Sequence, residues 1–242
     1  MKILAIDTSG QQAGAAILDG YITIGEIILN ARTGEKSWTH SEILMPGIDQ
    51  LFALTGTARH DIDYIAYTNG PGSFTGLRIG ASTALGLAAG LNRPTVAVPT
   101  LDALAYNVKG TGVCRLVVPL MDARRGQVYA AVYEDDVANG MKRITDYLAV
   151  SAKDLAEMSI INDTPVIFLG DGACANREFL QSTIPHAAFT PQNNNRQRAS
   201  SAAVWAMEQI LAGYTPPDNP EILYVRAPQA ILDLERKRQC SQ

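Results

Sequence analysis

Residues 70–80 read GPGSFTGLRIG, and glycines ahead of a helix leave main-chain N–H groups free to hold an anion. The specific phosphate templates fail here. A Walker loop needs Lys after its last glycine, whereas Leu77 and Arg78 follow Gly76, and the spacing is not the dinucleotide GxGxxG. Ser73 is no better placed as a nucleophile: GSFTG is not GxSxG, and nothing in the sequence designates a base for it. Helix capping suits it better. A second glycine turn, Gly170-Asp171-Gly172, precedes Ala173 and is too short to specify a ligand. His40, His60 and His186 are scattered and the carboxylates form no cluster with them, so no metal site is expected. His40 and Glu42 stand two apart near a helix start, where side chains point to different faces, which favours a surface or capping role. No residue is assigned to catalysis.

The elements that must position these residues follow from pattern. Residues 62–68 form an apolar, β-branched run, 69–72 are a breaker cluster, and 73–91 suit a helix with Arg78 as its only charge. One i, i+4 row of that helix holds Gly76, Gly80, Ala84 and Ala88. Each helical glycine costs roughly 0.5–1 kcal/mol relative to alanine, so close packing must return that energy. Residues 2–9, 14–18 and 21–29 read as a meander with a hairpin signal at Asp19-Gly20. Residues 40–54 carry Ile43, Leu44, Ile48, Leu51 and Phe52 at helical spacing, and Pro46 and Gly47 are expected to bend that helix or move its start.

The order then repeats. Residues 115–121, 127–133 and 142–150 read as three strands, followed by helix 152–158, strand 166–169, helix 173–182, a loop over 185–198 and helix 200–211. Both halves give strand, strand, strand, helix, strand, helix, so the chain divides into a first lobe, 1–110, and a second, 111–242, with a frayed tail after about 234.

Two such lobes, each with an aspartate ending its first strand, resemble the actin, hexokinase and Hsp70 superfamily: α/β, duplicated, ribonuclease H-like, with mixed sheets. The resemblance implies lobes that close on a nucleotide, with Asp7 and Asp122 facing the cleft to orient water or hold magnesium through water. The simpler alternative is that each aspartate binds amides in its own turn. The residues open to a weak nucleotide contact are Asp7, Ser9, Asp122, Gly170 and Gly172.

Bulk properties narrow the class. With 47% hydrophobic and 18% charged residues among 242, the chain has enough apolar material for a substantial core. A net charge of −4 argues against a free-standing nucleic-acid binder, although Arg124-Arg125 and Arg236-Lys237-Arg238 are local basic clusters. Helix 73–91 is too rich in Gly, Ala, Ser and Thr for a membrane span, and no membrane association is expected. Three distant cysteines and no signal-peptide profile in MKILAIDTS point to the cytoplasm.

The ordered set IDTS, HSEILMP at 40–46, GPGSFTGLRIG at 70–80, PLMDARRGQVYAAVY at 119–133, FLGDGACAN at 168–176 and YVRAPQA at 224–230 resembles the bacterial TsaB (YeaZ) family over nearly the whole chain. The resemblance implies a protein needed for threonylcarbamoyladenosine at position 37 of tRNAs reading codons that start with adenine. It implies a catalytic paralogue, TsaD, as partner and an ATPase, TsaE, as third component, with self-association as a homodimer and tRNA met only through the complex. The partner's family carries a metal-binding HxxxH where this chain has Thr100 and Leu104. A non-catalytic subunit with no cofactor of its own is therefore expected, with ATP or ADP allowed at the junction with the partner. Association would run through the first-lobe helices: Ile43, Leu44, Ile48 and Leu51 supplying apolar area, Gly76, Gly80 and Ala84 receiving a facing helix. On that view Gly80→Leu or Ile48→Glu abolishes assembly and spares the fold. The competing reading is an independent ATPase or kinase of the actin-like superfamily. Peptidase activity lacks both an HxxxH and a nucleophile elbow.

Overall fold

The computed structural model describes residues 1–30, 32–33, 36–112, 116–136, 140–217 and 221–226. The expected fraying after 234 lies outside them. The first half runs β1 (Lys2–Asp7), β2 (Gln12–Asp19), β3 (Ile22–Asn30), a small ladder of β4 (Arg32–Thr33) with β5 (Lys36–Ser37), α1 (His40–Thr55), β6 (Tyr64–Gly70), α2 (Phe74–Leu91), β7 (Thr95–Pro99) and α3 (Thr100–Ala105). The second half runs β8 (Leu116–Arg124), β9 (Gln127–Ala130), β10 (Tyr133–Asp136), β11 (Gly140–Arg143), β12 (Leu148–Ser151), α4 (Ala152–Ala156), α5 (Ser159–Asn162), β13 (Val166–Leu169), α6 (Asp171–Ala175), α7 (Arg177–Thr183), β14 (Ala187–Phe189) and α8 (Ala199–Leu211).

The first sheet has the order β3-β2-β1-β6-β7. Its β1-β2-β3 meander is antiparallel and its β1-β6-β7 side parallel. In the second sheet β8 takes the place of β1, antiparallel to β9 and β10 and parallel to β13, which pairs β14. The duplication is thus one of sheet topology. Central strands such as β1, buried along nearly their whole length, read as continuous apolar runs because both faces are covered.

Several boundaries differ from the pattern-based expectation. Residues 127–133 divide into β9 and β10. Extending the β8 register from Leu120↔Ala130 and Val117↔Tyr133 puts Ala131 opposite Pro119, which has no N–H to give the ladder. Residues 142–150 divide likewise between β11, on β10, and β12, on β9. The run 185–198 contains β14, a parallel strand whose three residues are too few to show a period. Pro46 does not move the start of α1. The helix begins at His40, capped by Thr39, whose N–H and hydroxyl both donate to Glu42 Oε2 at 2.7 Å.

Helices cover the sheets in an interlaced way. α1 and α2 bury Leu44, Ile48, Leu51, Phe52, Ala84 and Ala88 against Leu4, Ile6, Ile17 and Ile65 on one face of the first sheet. The other face is covered by α8, at the far end of the chain, through Ala199, Ala202, Ala203, Ala206 and Met207. α3 follows the first sheet in sequence, yet packs Leu101, Leu104 and Ala105 against Val117, Met121 and Ile167 of the second. The remaining face of the second sheet carries Leu155, Ile161, Ala173 and Leu180 from α4 to α7. A cut at 110 therefore separates the strands but assigns α8 to the wrong core. Among the described residues no helix is long and apolar enough to cross a membrane.

Candidate functional site

The glycine stretch closes against the chain's own first turn. Ser73 caps α2, its Oγ accepting from Gly76 N at 3.3 Å, and its N–H donates to Ser9 O at 2.7 Å. The Thr8 hydroxyl donates to Gly76 O at 2.7 Å. A Cβ on Gly72 would lie 2.4 Å from Ser9 O, on Gly76 2.1 Å from Thr8 O, and on Gly80 2.2 Å from Thr8 Oγ1. The notch in α2 is filled by residues 8 and 9, and only glycine admits them. Gly170, at φ +100, and Gly172 do the same for β8: a Cβ would meet the Leu120 carbonyl oxygen at 2.1 Å and its carbon at 3.0 Å respectively.

Of the two readings of the aspartates, binding amides in their own turns describes the geometry. Asp7 Oδ1 accepts from Ser9 N at 2.9 Å and Ser9 Oγ at 2.7 Å, and Asp122 Oδ1 accepts from Arg124 N at 2.7 Å. The two differ sharply in setting, since Asp7 is buried and Asp122 exposed. Among the described residues, Asp7 Oδ2 is buried without a hydrogen-bond partner, as are the hydroxyls of Thr68 and Thr100. Burial pushes the Asp7 carboxyl above its ordinary range, against the pull of its bonds from Ser9. Of the residues open to a nucleotide contact, Ser9 is fully buried, and Gly170 and Gly172 are packed against Leu120. Among the described residues no three metal-ligating side chains gather.

The expected partner face is corrected too. Leu44, Ile48, Leu51, Gly76, Gly80 and Ala84 are buried in the chain's own interior, and Ile43 packs half-buried against the same core. The sheet consumes the apolar side of α1, so that side is not a surface. Outward, α1 shows Met45, Asp49 and Leu54, while α2 shows a second i, i+4 row of Phe74, Arg78, Ser82, Gly86 and Gly90. A Cβ on Gly86 or Gly90 would meet nothing within 4 Å.

Two features escaped the sequence reading. Residues 221–226 form a strap between the sheets. Leu223 N–H donates to Asn69 O at 2.8 Å, Asn69 Nδ2 donates to Glu221 O at 3.2 Å, and Arg78 bonds Tyr224 Oη at 3.3 Å while stacking on Phe74. Farther on, Arg226 Nη1 donates to Gln127 Oε1 at 3.0 Å, in the second sheet. The other is a polar knot under α3. Asp102 Oδ1 accepts from Tyr133 Oη and, at 2.9 Å, Tyr147 Oη. Burial raises the Asp102 carboxyl above its ordinary range despite these bonds. An aspartate inside the apolar run LDALA was the available signal.

The β8–β9 hairpin turns on Arg125 and Gly126, and Arg124, Arg125 and Gly126 all have positive φ, at 61°, 57° and 73°. Left-handed backbone costs an ordinary L-residue about 1–2 kcal/mol, and both arginines are exposed.

The chain matches the family model described as TsaD: tRNA N6-adenosine threonylcarbamoyltransferase over residues 34–230. It is 35% identical over 190 residues to the tRNA threonylcarbamoyladenosine biosynthesis protein TsaB of Bacillus subtilis, covering 78% of this chain and 79% of that one. The chain belongs to the TsaB family. Among solved structures, YeaZ from Pseudomonas aeruginosa aligns with a TM-score of 0.75 at 23% identity, over 93% of this chain and 99% of that one. The polyphosphate/ATP-glucomannokinase of an Arthrobacter strain aligns with a TM-score of 0.52 at 14% identity, over 86% and 99%. These two likenesses speak to fold, and with two sheets of repeated topology they make the TsaB-family chain a duplicated actin-like α/β protein.

Proposed function

We propose that this chain is a non-catalytic subunit that docks on the TsaD transferase and, with the TsaE ATPase, supports threonylcarbamoyl transfer to adenosine 37 of tRNAs reading codons that start with adenine. Membership of the TsaB family and the match to the transferase model support the pathway. Thr100 and Leu104 support the absence of chemistry: both are buried, and neither side chain offers the imidazole nitrogens of the partner's HxxxH. The observation that carries the docking role is the open outer row of α2, where Ser82, Gly86 and Gly90 are exposed next to Leu85 and a Cβ on either glycine would meet nothing within 4 Å. A facing helix lies close against such a row, as small-residue contacts allow. The same face serves a homodimer when the partner is absent, and ATP or ADP belongs at the junction with the partner. The protein works in the cytoplasm and meets tRNA in the assembled complex.

Gly86→Leu with Gly90→Leu tests this directly. Neither site touches the chain's interior, so the thermal midpoint should hold or rise while complex mass with the transferase drops to that of the separate chains. A full-mass complex in the double variant would refute docking through the outer row. A second reading, weak nucleotide binding by the single chain, is motivated by the unpartnered Asp7 Oδ2. Calorimetric titration of ATP with magnesium decides it, and a flat trace removes it.

A further inference from the structure

The proposed docking face lies on the helices of the first sheet, whereas a pair of adjacent exposed arginines lies on the second. The β8–β9 turn carries Arg124 and Arg125 side by side, both exposed, with no carboxylate paired to either among the described residues. The strap delivers a third guanidinium to the same place, since Arg226 donates to Gln127, the residue opposite Arg124 in the hairpin. Two acids of this region are turned to main chain: Asp122 Oδ1 accepts from Arg124 N, and Asp171 Oδ1 accepts from the amides of Asp122 and Gly172.

A two-residue turn of this kind ordinarily takes Asn, Asp or Gly. Gly126 meets that preference, whereas Arg125 beside it and Arg124 just ahead of the turn also hold positive φ, a conformation uncommon for residues other than glycine. Guanidinium is the group that meets phosphate oxygens in pairs. On a chain of net charge −4, three such groups at one hairpin end stand against the overall charge.

We propose that Arg124, Arg125 and Arg226 form a contact site for the phosphate backbone of RNA. This rests on the reading that the chain serves tRNA modification, and it assigns the RNA side of the molecule to the tip of the β8–β9 hairpin. Contacts of this type position the nucleic acid and carry no sequence preference, and three of them are too few for the isolated chain to hold tRNA at physiological salt.

The test uses Arg124→Asn, Arg125→Asn and Arg226→Gln combined. Asparagine accepts the left-handed backbone, so the hairpin is kept while charge is lost. The chain is mixed with its transferase partner and an unmodified tRNA transcript bearing adenosine at position 37, with affinity followed between about 50 and 200 mM salt and complex mass read on the same samples. The triple variant should keep full complex mass, lose at least about tenfold in affinity at the lower salt, and reduce the log–log salt slope by about 2–3. Arg→Lys at all three sites should restore most of the slope. Unchanged slope with intact mass overturns the inference and leaves the docking proposal standing. Should the wild-type mixture show no complex, docking fails instead. The arginines are then judged by cross-linking the chain alone to the same transcript at low salt, where equal yield in wild type and variant overturns them. Loss of binding to anionic vesicles with tRNA affinity unaltered would also overturn the assignment to RNA.

Discussion

Asp7 shows how one residue is shaped by its burial. Its Oδ1 is held by the Ser9 amide and hydroxyl, while Oδ2 faces the interior without a partner. Burial raises its pKa above the ordinary 3.8, so the folded chain binds that proton more tightly than the unfolded one. Its contribution to stability is fully present below the unfolded value and is lost as pH rises through the folded value. Asp7→Asn keeps an oxygen for Ser9 and cannot ionise. The variant should match or exceed wild type at neutral pH and show a shallower fall in thermal midpoint from acid to neutral pH; about 1 kcal/mol corresponds to about 2–4 °C for a chain of this size. A variant equally destabilised at both ends of the range would show that the carboxylate itself is required. That the aspartates bind their own turns was legible, because an i to i+2 bond is local. That Asp7 keeps one oxygen dry was not, because Thr68 and the other residues enclosing it come from distant strands.

On α2, an inner row of small residues, Gly76 to Ala88, runs opposite an outer row that becomes small only at Ser82, Gly86 and Gly90. The inner row meets Thr8 and the sheet, and the outer row meets solvent. Sequence reveals both rows but not which one faces the sheet, and the expectation took the inner one for the partner's side. Arg78, the helix's lone charge, sits on the outer row and was the clue that separates them. Alanine substitution reads the difference. Gly80→Ala sets a methyl 2.2 Å from Thr8 Oγ1 and should cost about 1–3 kcal/mol by overpacking. Gly86→Ala meets nothing and should add about 0.5–1 kcal/mol through helix propensity. Urea unfolding of the two variants checks both signs. The earlier test pair fares differently as well: Gly80→Leu and Ile48→Glu strike buried positions, so lost assembly in either would report lost folding. Long periodic elements such as α1, α2 and β1 were readable from pattern. The hairpins after β8 were not, because a single proline opposite Ala131 breaks the ladder within an otherwise strand-like run.

Across the whole molecule, α8 returns from the second half to the first sheet, α3 packs between the two cores, and the Asp102 knot ties α3 to Tyr133 and Tyr147 of the second half. Neither sheet keeps its full covering without the other half of the chain. Denaturation should therefore follow one transition, with fluorescence and far-ultraviolet dichroism coincident; two separated transitions would show that the lobes fold independently. Tyr133→Phe leaves the buried carboxylate with one donor fewer and should lower stability by about 1–3 kcal/mol, while Asp102→Asn in the same chain should make the loss less than additive. The interlacing also bears on biosynthesis. A ribosome that has released only the first 110 residues has made all five strands of the first sheet, but the alanine-rich helix that roofs one side of it is still to be translated. The nascent chain carries that greasy surface through nearly a hundred further codons, which makes it a natural client for a chaperone waiting at the tunnel exit.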